Sequence, residues 1–276
     1  MSIKVIDADG INKYYQTTGQ GTVGSPFQSV VPSSAISYAE NEILKTYGDT
    51  VSVWEKGKRL IKFGANKDVD LVQEAVIQAP DDDSILTSNV ITHVTSSGAY
   101  TGTVAVEGFT ISGGELTFVS QTSNVVDTTL VTLGTPLARV TRMYNNGTTD
   151  YTTQISAVNS TNTAKYCVIE GSLGQNQSLK AQTSISKDDY YIMYQMSGGI
   201  VATSANVIFS FQTKEVGKVW RTQRQFVASG VSFTEVPLSP PIIVPKNHDI
   251  RIVAISDTNN TSVVAEFSGY LAGIVV

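Results

Sequence analysis

The feature that most constrains this chain is a period-two alternation that persists from about Val51 to the end. Val104 and Val106 alternate in GTVAVEGFTI, as do Tyr190, Ile192, Tyr194 and Met196, then Val207, Phe209 and Phe211. Ile250, Ile252 and Ala254 continue the pattern, and Val263, Ala265, Phe267 and Leu271 close it with Gly269 in step. Successive strand residues point to opposite faces, so this pattern suits antiparallel sheets with one face packed and the other wet. Turn chemistry punctuates it. Gly113-Gly114 precedes LTFVS, Asn145-Asn146-Gly147 separates VTRMY from DYTTQIS, and Gly217 sits between two segments expected to pair as a hairpin. Pro237, Pro240, Pro241 and Pro245 bracket IIV and confine it to a sheet edge or a corner. The expected fold class is all-β: antiparallel β-sandwich or jelly-roll-like modules.

Before Val51 the texture differs. Met1 to Pro32 carries glycines at 10, 19, 21 and 24 with little periodicity, which reads as an extended N-terminal arm. In SSAISYAENEILKTYG, Ile36, Ala39, Ile43, Leu44 and Tyr47 fall near helical spacing. Ser37 and Glu40 have capping-box spacing there, and Gly48 ends the run, so residues 34–47 are expected to be helical. A polar interval, SLGQNQSLKAQTSIS at 172–186, is expected to join two sandwiches. The expected organisation is an arm over 1–32, a first β-sandwich domain over 33–180 and a second over 181–276.

Charged residues make up 16% of the 276, against roughly 25% in ordinary soluble domains. Ser, Thr, Asn and Gly fill the difference, as on a sheet-and-turn surface. The net charge of -5 argues against a nucleic-acid partner, which needs a cationic field to engage phosphates. One cysteine, Cys167, rules out an intramolecular disulfide and a cysteine-rich zinc site. Met1 to Gly10 has neither a basic n-region nor an apolar h-region, so no secretory signal is expected there, and the sequons at Asn146, Asn159, Asn176, Asn259 and Asn260 are incidental. No run of about 18 apolar residues marks a membrane span.

Constellations that carry chemistry are weak. Gly19, Gly21 and Gly24 spell G-x-G-x-x-G, but Ser25-Pro26 follows where a phosphate-binding helix must open. His93 lies in an alternating segment and His248 beside Asp249 in KNHDI, with no G-x-S-x-G elbow to supply a nucleophile. Asp81, Asp82 and Asp83 run into Ser84 without the glycine a calcium loop uses to space its ligands. Cys167 in YCVI reads as a small buried hydrophobe. Lys214, Lys218, Arg221 and Arg224 surround Trp220, and Glu215 interrupts them. This reads as a charged hairpin that resists edge aggregation. No catalytic residue, metal ligand or cofactor is expected.

Several blocks nevertheless resemble a broad group of bacteriophage virion proteins. DADGINKYYQTTGQGTVGSPFQ is similar to their opening, with Tyr14, Tyr15, Gly19, Gly21, Thr22, Pro26 and Phe27 as the shared features. TPLARVTRMYNNGTTD, GQNQSLKAQTSIS, KEVGKVWRTQRQF and PLSPPIIVPKNHDIRIVA look like successive blocks of that group, whereas residues 64–90 match nothing in it. The resemblance implies a non-enzymatic, β-rich virion protein made in the host cytoplasm and carried on the capsid exterior, a decoration or cement protein. Its expected partners are the major capsid protein or neighbouring virion proteins, and further copies of itself in a homo-oligomer, with a trimer as the expected order. No membrane partner is implied. Tyr14, Tyr15, Pro26 and Phe27 are the expected anchors of the arm. The alternative is a tail or fibre component that binds host glycans through Trp54 and Trp220.

Overall fold

A computed structural model describes residues 2–6, 12–18, 28–29, 59–77, 85–171, 176–201 and 205–273. Met1–Asp49 forms one compact unit and Thr50–Val276 another. In the first, β1 (Ser2–Ile6), β2 (Asn12–Thr18) and β3 (Gln28–Ser29) make an antiparallel sheet in the order β1-β2-β3. The described residues of the arm expected over 1–32 thus pair as a small sheet. The physical reason is legible afterwards: Ile3, Val5 and Ile6 are good strand formers, and Asp9-Gly10 lies between them and the β2 segment. The helix expected over 34–47 lies outside the described residues.

The second unit is all-β among the described residues. It begins with β4 (Arg59–Val69) and β5 (Glu74–Ala75). Next come β6 (Ile91–Ser96), β7 (Thr101–Ser112), β8 (Glu115–Val126), β9 (Val131–Leu137), β10 (Arg139–Asn145), β11 (Ile155–Val158) and β12 (Lys165–Ile169). The last group is β13 (Gln182–Ser184), β14 (Asp189–Ile200), β15 (Asn206–Glu215), β16 (Arg221–Ser229), β17 (Phe233–Val244), β18 (His248–Ser256) and β19 (Thr261–Gly273).

Two cores result, and they do not follow the expected cut into 33–180 and 181–276. The larger core lies between the sheets β17-β14-β19-β4 and β13-β18-β15-β16. Their order, with β4 as the outer neighbour of β19, is that of an eight-position antiparallel jelly roll. β4 and β5 thus belong to the C-terminal body. β5 and β13 are two pieces of a single strand position: Glu74 and Ala75 pair with Ala254 and Val253, and Gln182, Thr183 and Ser184 then continue along β18 opposite Arg251, Ile250 and Asp249. Everything between is an inserted module, with sheets β10-β7-β8 and β12-β11-β6-β9 enclosing the second core.

In the jelly roll, Val207, Phe209 and Phe211 of β15 and Ile250, Ile252 and Ala254 of β18 point inward as alternation requires. They meet Val263, Ala265 and Phe267 of β19, where Phe267 makes edge contacts with Tyr191 and Phe211 at centroid distances of 5.9 Å. On β14 the core set is Tyr191, Met193, Met196 and Ile200, so of the alternating Tyr190, Ile192, Tyr194 and Met196 only Met196 keeps its place. A register shift between Met193 and Gln195 explains this, because one extra residue reverses the faces beyond it. The proline-rich β17 is an edge strand, as its prolines demand.

Hairpins form where the turn residues indicate. Gly113 and Gly114 both have positive φ, at 58° and 82°, and close β7 onto β8 with Ser112 opposite Glu115. Gly217, at φ 79°, lies between β15 and β16. Asn145-Asn146-Gly147 turns through a 2.7 Å bond from the Gly147 N–H to Asn145 Oδ1, but it carries the chain from β10 to β11 in the other sheet instead of closing a hairpin.

Candidate functional site

The polar interval at 172–186 is the root of the inserted module. Ile77, where the chain leaves the jelly roll, and Lys180, where it returns, form an antiparallel bridge. Val76 donates its N–H to Ile252 O and accepts from the Ala181 N–H, at 3.0 and 2.9 Å, so the split strand is stitched across the break. Described residues from Ser178 to Ser186 are largely buried, and Lys180 is only 3% exposed. A buried ammonium needs acceptors. Lys180 Nζ donates to Tyr166 O at 2.9 Å and Val140 O at 3.3 Å, both in the inserted module. Ser178 adds a bond from its N–H to Met143 O at 2.9 Å and accepts the Met143 N–H on Oγ at 2.8 Å.

A second tie lies on the outer face of β18. Register places Ser184, Asp249 and Lys214 side by side on β13, β18 and β15. Asp249 is fully buried, and Arg139 of β10 reaches it from the inserted module, donating Nε to Oδ1 at 2.9 Å and Nη2 to Oδ2 at 3.1 Å. The Ser184 hydroxyl donates to Oδ1 at 2.6 Å, and Lys214 Nζ stands 3.8 Å from Oδ2. Arg139 Nη1 also donates to the carbonyls of Leu86 and Ala138. A planar two-pronged bond of this kind fixes both separation and orientation of the elements that carry it. At the tip of the β7–β8 hairpin, Leu116 donates its N–H to Asn247 Oδ1 at 2.9 Å and accepts from the Lys187 N–H at 2.8 Å.

Between these ties lies a cavity of about 550 Å³. Phe109, Phe118 and Tyr191 give it apolar walls, and a Lys62–Glu266 ion pair at 2.7 Å adjoins it. Arg142 lines it while stacking on Tyr144, 4.7 Å from the ring centroid, and donating to Gln177 Oε1 at 3.2 Å. The serine hydroxyls on this wall are engaged structurally: Ser184 on Asp249, Ser186 on Asp189 at 2.5 Å, Ser178 on the Met143 backbone. Among the described residues no three His, Cys, Asp or Glu side chains converge as a metal site requires.

The expected site residues are dispersed. Tyr14 and Tyr15 lie on β2, opposite Lys4 and Ile3 of β1. Pro26 and Phe27 fall outside the described residues, as do Asp81, Asp82, Asp83, Trp54 and the three glycines at 19, 21 and 24. His93 bridges the Thr92 and Thr132 hydroxyls at 2.7 and 3.2 Å, and His248 Nδ1 is 2.9 Å from Lys246 O, so the two are far apart in role and in strand. Cys167 is buried in the inserted core. In the basic hairpin, Lys218, Arg221 and Arg224 face solvent on and beside the edge strand β16. Lys214 departs from that reading: it turns toward Asp249 and lies 4.9 Å from the Trp220 centroid, with Arg251 at 4.0 Å. The indole is thus already engaged by cations. Sequence reasoning missed Arg139, Lys180 and Asp249. In the sequence Asp249 stands out only as a neighbour of His248, and strand alternation alone gives a buried charge no signal.

No family model and no curated protein matches the sequence. Among solved structures, the chain is similar to one titled as the structure of infectious bursal disease virus, Gt strain, at 10% identity over 78% of this chain and 72% of that one, with a TM-score of 0.21. A likeness that faint carries no argument about fold or function. No helix among the described residues is long and apolar enough to cross a membrane.

Proposed function

We propose that this chain is a virion structural protein, a decoration or cement protein on the exterior of a phage head, that works by binding rather than catalysis. The observation that carries the reading is the split jelly roll itself. Two β cores are locked into one body by the Ile77–Lys180 root, the buried Arg139–Asp249 pair and the Leu116 contact. The result is a rigid body with broad sheet surfaces, suited to covering a neighbour. Jelly rolls recur in viral capsid and lectin domains. Fold alone does not fix function, but the ordered sequence blocks similar to phage virion proteins favour the first of these. The small N-terminal sheet, with Tyr14 and Tyr15 on β2 and Pro26-Phe27 beyond it, is the attachment element, and the major capsid protein is its partner.

The test is co-sedimentation of the purified protein with particles that lack the endogenous copy, together with densitometry of complete virions. Saturable binding to heads, in fixed proportion to the major capsid protein, is the expected result. Recovery only with tails, at a few copies per particle, overturns the head assignment. Failure to bind either one rejects the virion role.

A further inference from the structure

Exposed large apolar side chains gather at one end of the jelly roll. Leu71 and Val72 in the β4–β5 turn, Val201 after β14, Val231 after β16 and Phe233 at the start of β17 are each more than half exposed. Register extends the patch onto the outer sheet face through the Ile208–Val227 pair of β15 and β16. Large exposed apolar side chains concentrated at one end of a sandwich point to an interaction site.

The patch is ordered before anything binds. Leu71 donates its N–H to Asn259 Oδ1 at 3.2 Å, and Asn260 donates to Asp70 Oδ1 at 2.8 Å. Asn206 donates its N–H and side-chain amide to the Asp257 carboxylate at 3.0 and 2.6 Å. Ile200 donates to Ser232 O and Val201 to Ser262 O, at 2.8 and 2.9 Å. Docking on a surface already fixed in this way costs little ordering entropy.

Charge selects the occupant. Asp68, Asp70 and Asp257 rim this end; Lys67 of β4 is half-buried and turned to Glu74 and the Ala75 carbonyl, and the described residues of the turns, 70–73, 205–206, 229–233 and 256–262, include neither lysine nor arginine. The opposite end of the same sandwich has the reverse character. There the β15–β16 hairpin exposes Lys218, Arg221 and the apolar Val219 beside one carboxylate, Glu215, with Lys246 exposed on the neighbouring turn. A hollow of about 250 Å³ lies between that hairpin and the Ile242–Pro245 end of β17, with His248 on its wall. One end of the sandwich is apolar with an acidic rim, and the other is a hollow where Lys218, Arg221 and Lys246 outweigh Glu215.

We propose that copies of this chain associate head to tail, the acidic apolar end of one copy docking on the basic hairpin of the next. Because the two patches differ, the contact is heterologous, and it closes into a ring or runs on as a filament according to its rotation. This association goes beyond the virion reading and is measured without particles.

The experiment is sedimentation velocity on the full-length protein and on two surface variants, Leu71→Lys/Val72→Lys and Lys218→Glu/Arg221→Glu, with thermal melts to show that each is folded. Val231→Lys replaces the first variant if it melts early. Wild-type protein is expected to associate, more weakly as salt rises, and each variant alone is expected to be monomeric. An equimolar mixture of the two variants is expected to recover heterodimers, because one intact head and one intact tail remain between them. Wild-type protein that stays monomeric overturns the proposal. So does either variant that associates on its own, since that outcome belongs to an isologous contact through the end left intact, and so does a mixture that stays monomeric while wild type associates.

Discussion

At the residue scale, the side chains that fix this molecule are the polar ones buried between its two cores. Asp249 is fully enclosed and Arg139 is 3% exposed, so removing Arg139 leaves a buried carboxylate with only the longer Lys214 contact at 3.8 Å, and removing Asp249 leaves a buried guanidinium bonded to carbonyls alone. Arg139→Met is expected to destabilise the protein by about 3–5 kcal/mol, read as a shift in the denaturant midpoint. The double variant Arg139→Met/Asp249→Leu is expected to be less damaging than the single one, because no fully buried charge remains: Lys214 loses Asp249 but its side chain is 17% exposed and can reach water. Two tyrosines give a pH prediction. Burial, with a smaller contribution from Tyr194, holds the Tyr191 phenol well above its ordinary value; burial, with Tyr100 nearby, does the same for Tyr151, whose hydroxyl donates to Thr103 O at 2.7 Å. A neutral acid with a raised folded pKa contributes stability that is intact below the unfolded value of about 10 and is lost as pH rises beyond it. In a spectrophotometric titration of the twelve tyrosines, these two are expected to ionise last, together with unfolding. Tyr151→Phe and Tyr191→Phe each should remove absorbance from that late phase alone.

At the scale of elements, glycine pairs and prolines carried most of what could be read in advance. Gly113-Gly114, Gly217 and the proline-bracketed edge strand formed as local chemistry dictates, because each depends on φ or on a missing donor within a few residues. Gly114→Val is expected to cost about 1–2 kcal/mol, the penalty for a branched side chain at positive φ. It should also loosen the Leu116 contact, so hydrogen exchange at the Lys187 amide is expected to quicken. The pattern could not reveal which strands pair across the chain. Alternation states that a strand has an inward face and is silent about its partner, so Val69 opposite Thr261 and the two-residue β5 had no signal. The phase reversal on β14 was hidden for a related reason: a bulge shifts faces without changing composition. The attachment residues were read only from resemblance, and of these Tyr14 and Tyr15 alone lie on a described strand.

At the scale of the whole molecule, the division at Asp49 yields a direct expectation. Both cores and the described ties between them belong to residues beyond it, so a chain starting at Thr50 is expected to melt within a few degrees of the full-length protein while losing co-sedimentation with particles. A truncated protein that melts far lower would show that the N-terminal sheet supports the cores. The split strand bears on something else, the order in which the chain acquires its structure. Every strand of the inserted module pairs with a neighbour between Ile91 and Ile169, whereas Asp68 of β4 meets Ser262, 194 residues later. Local contacts form early and distant ones late. During synthesis the inserted module can therefore be complete while β4 still waits, unpartnered, for β19 to emerge. The jelly roll is then assembled around a body that has already folded, with Ile77 and Lys180 brought together in advance.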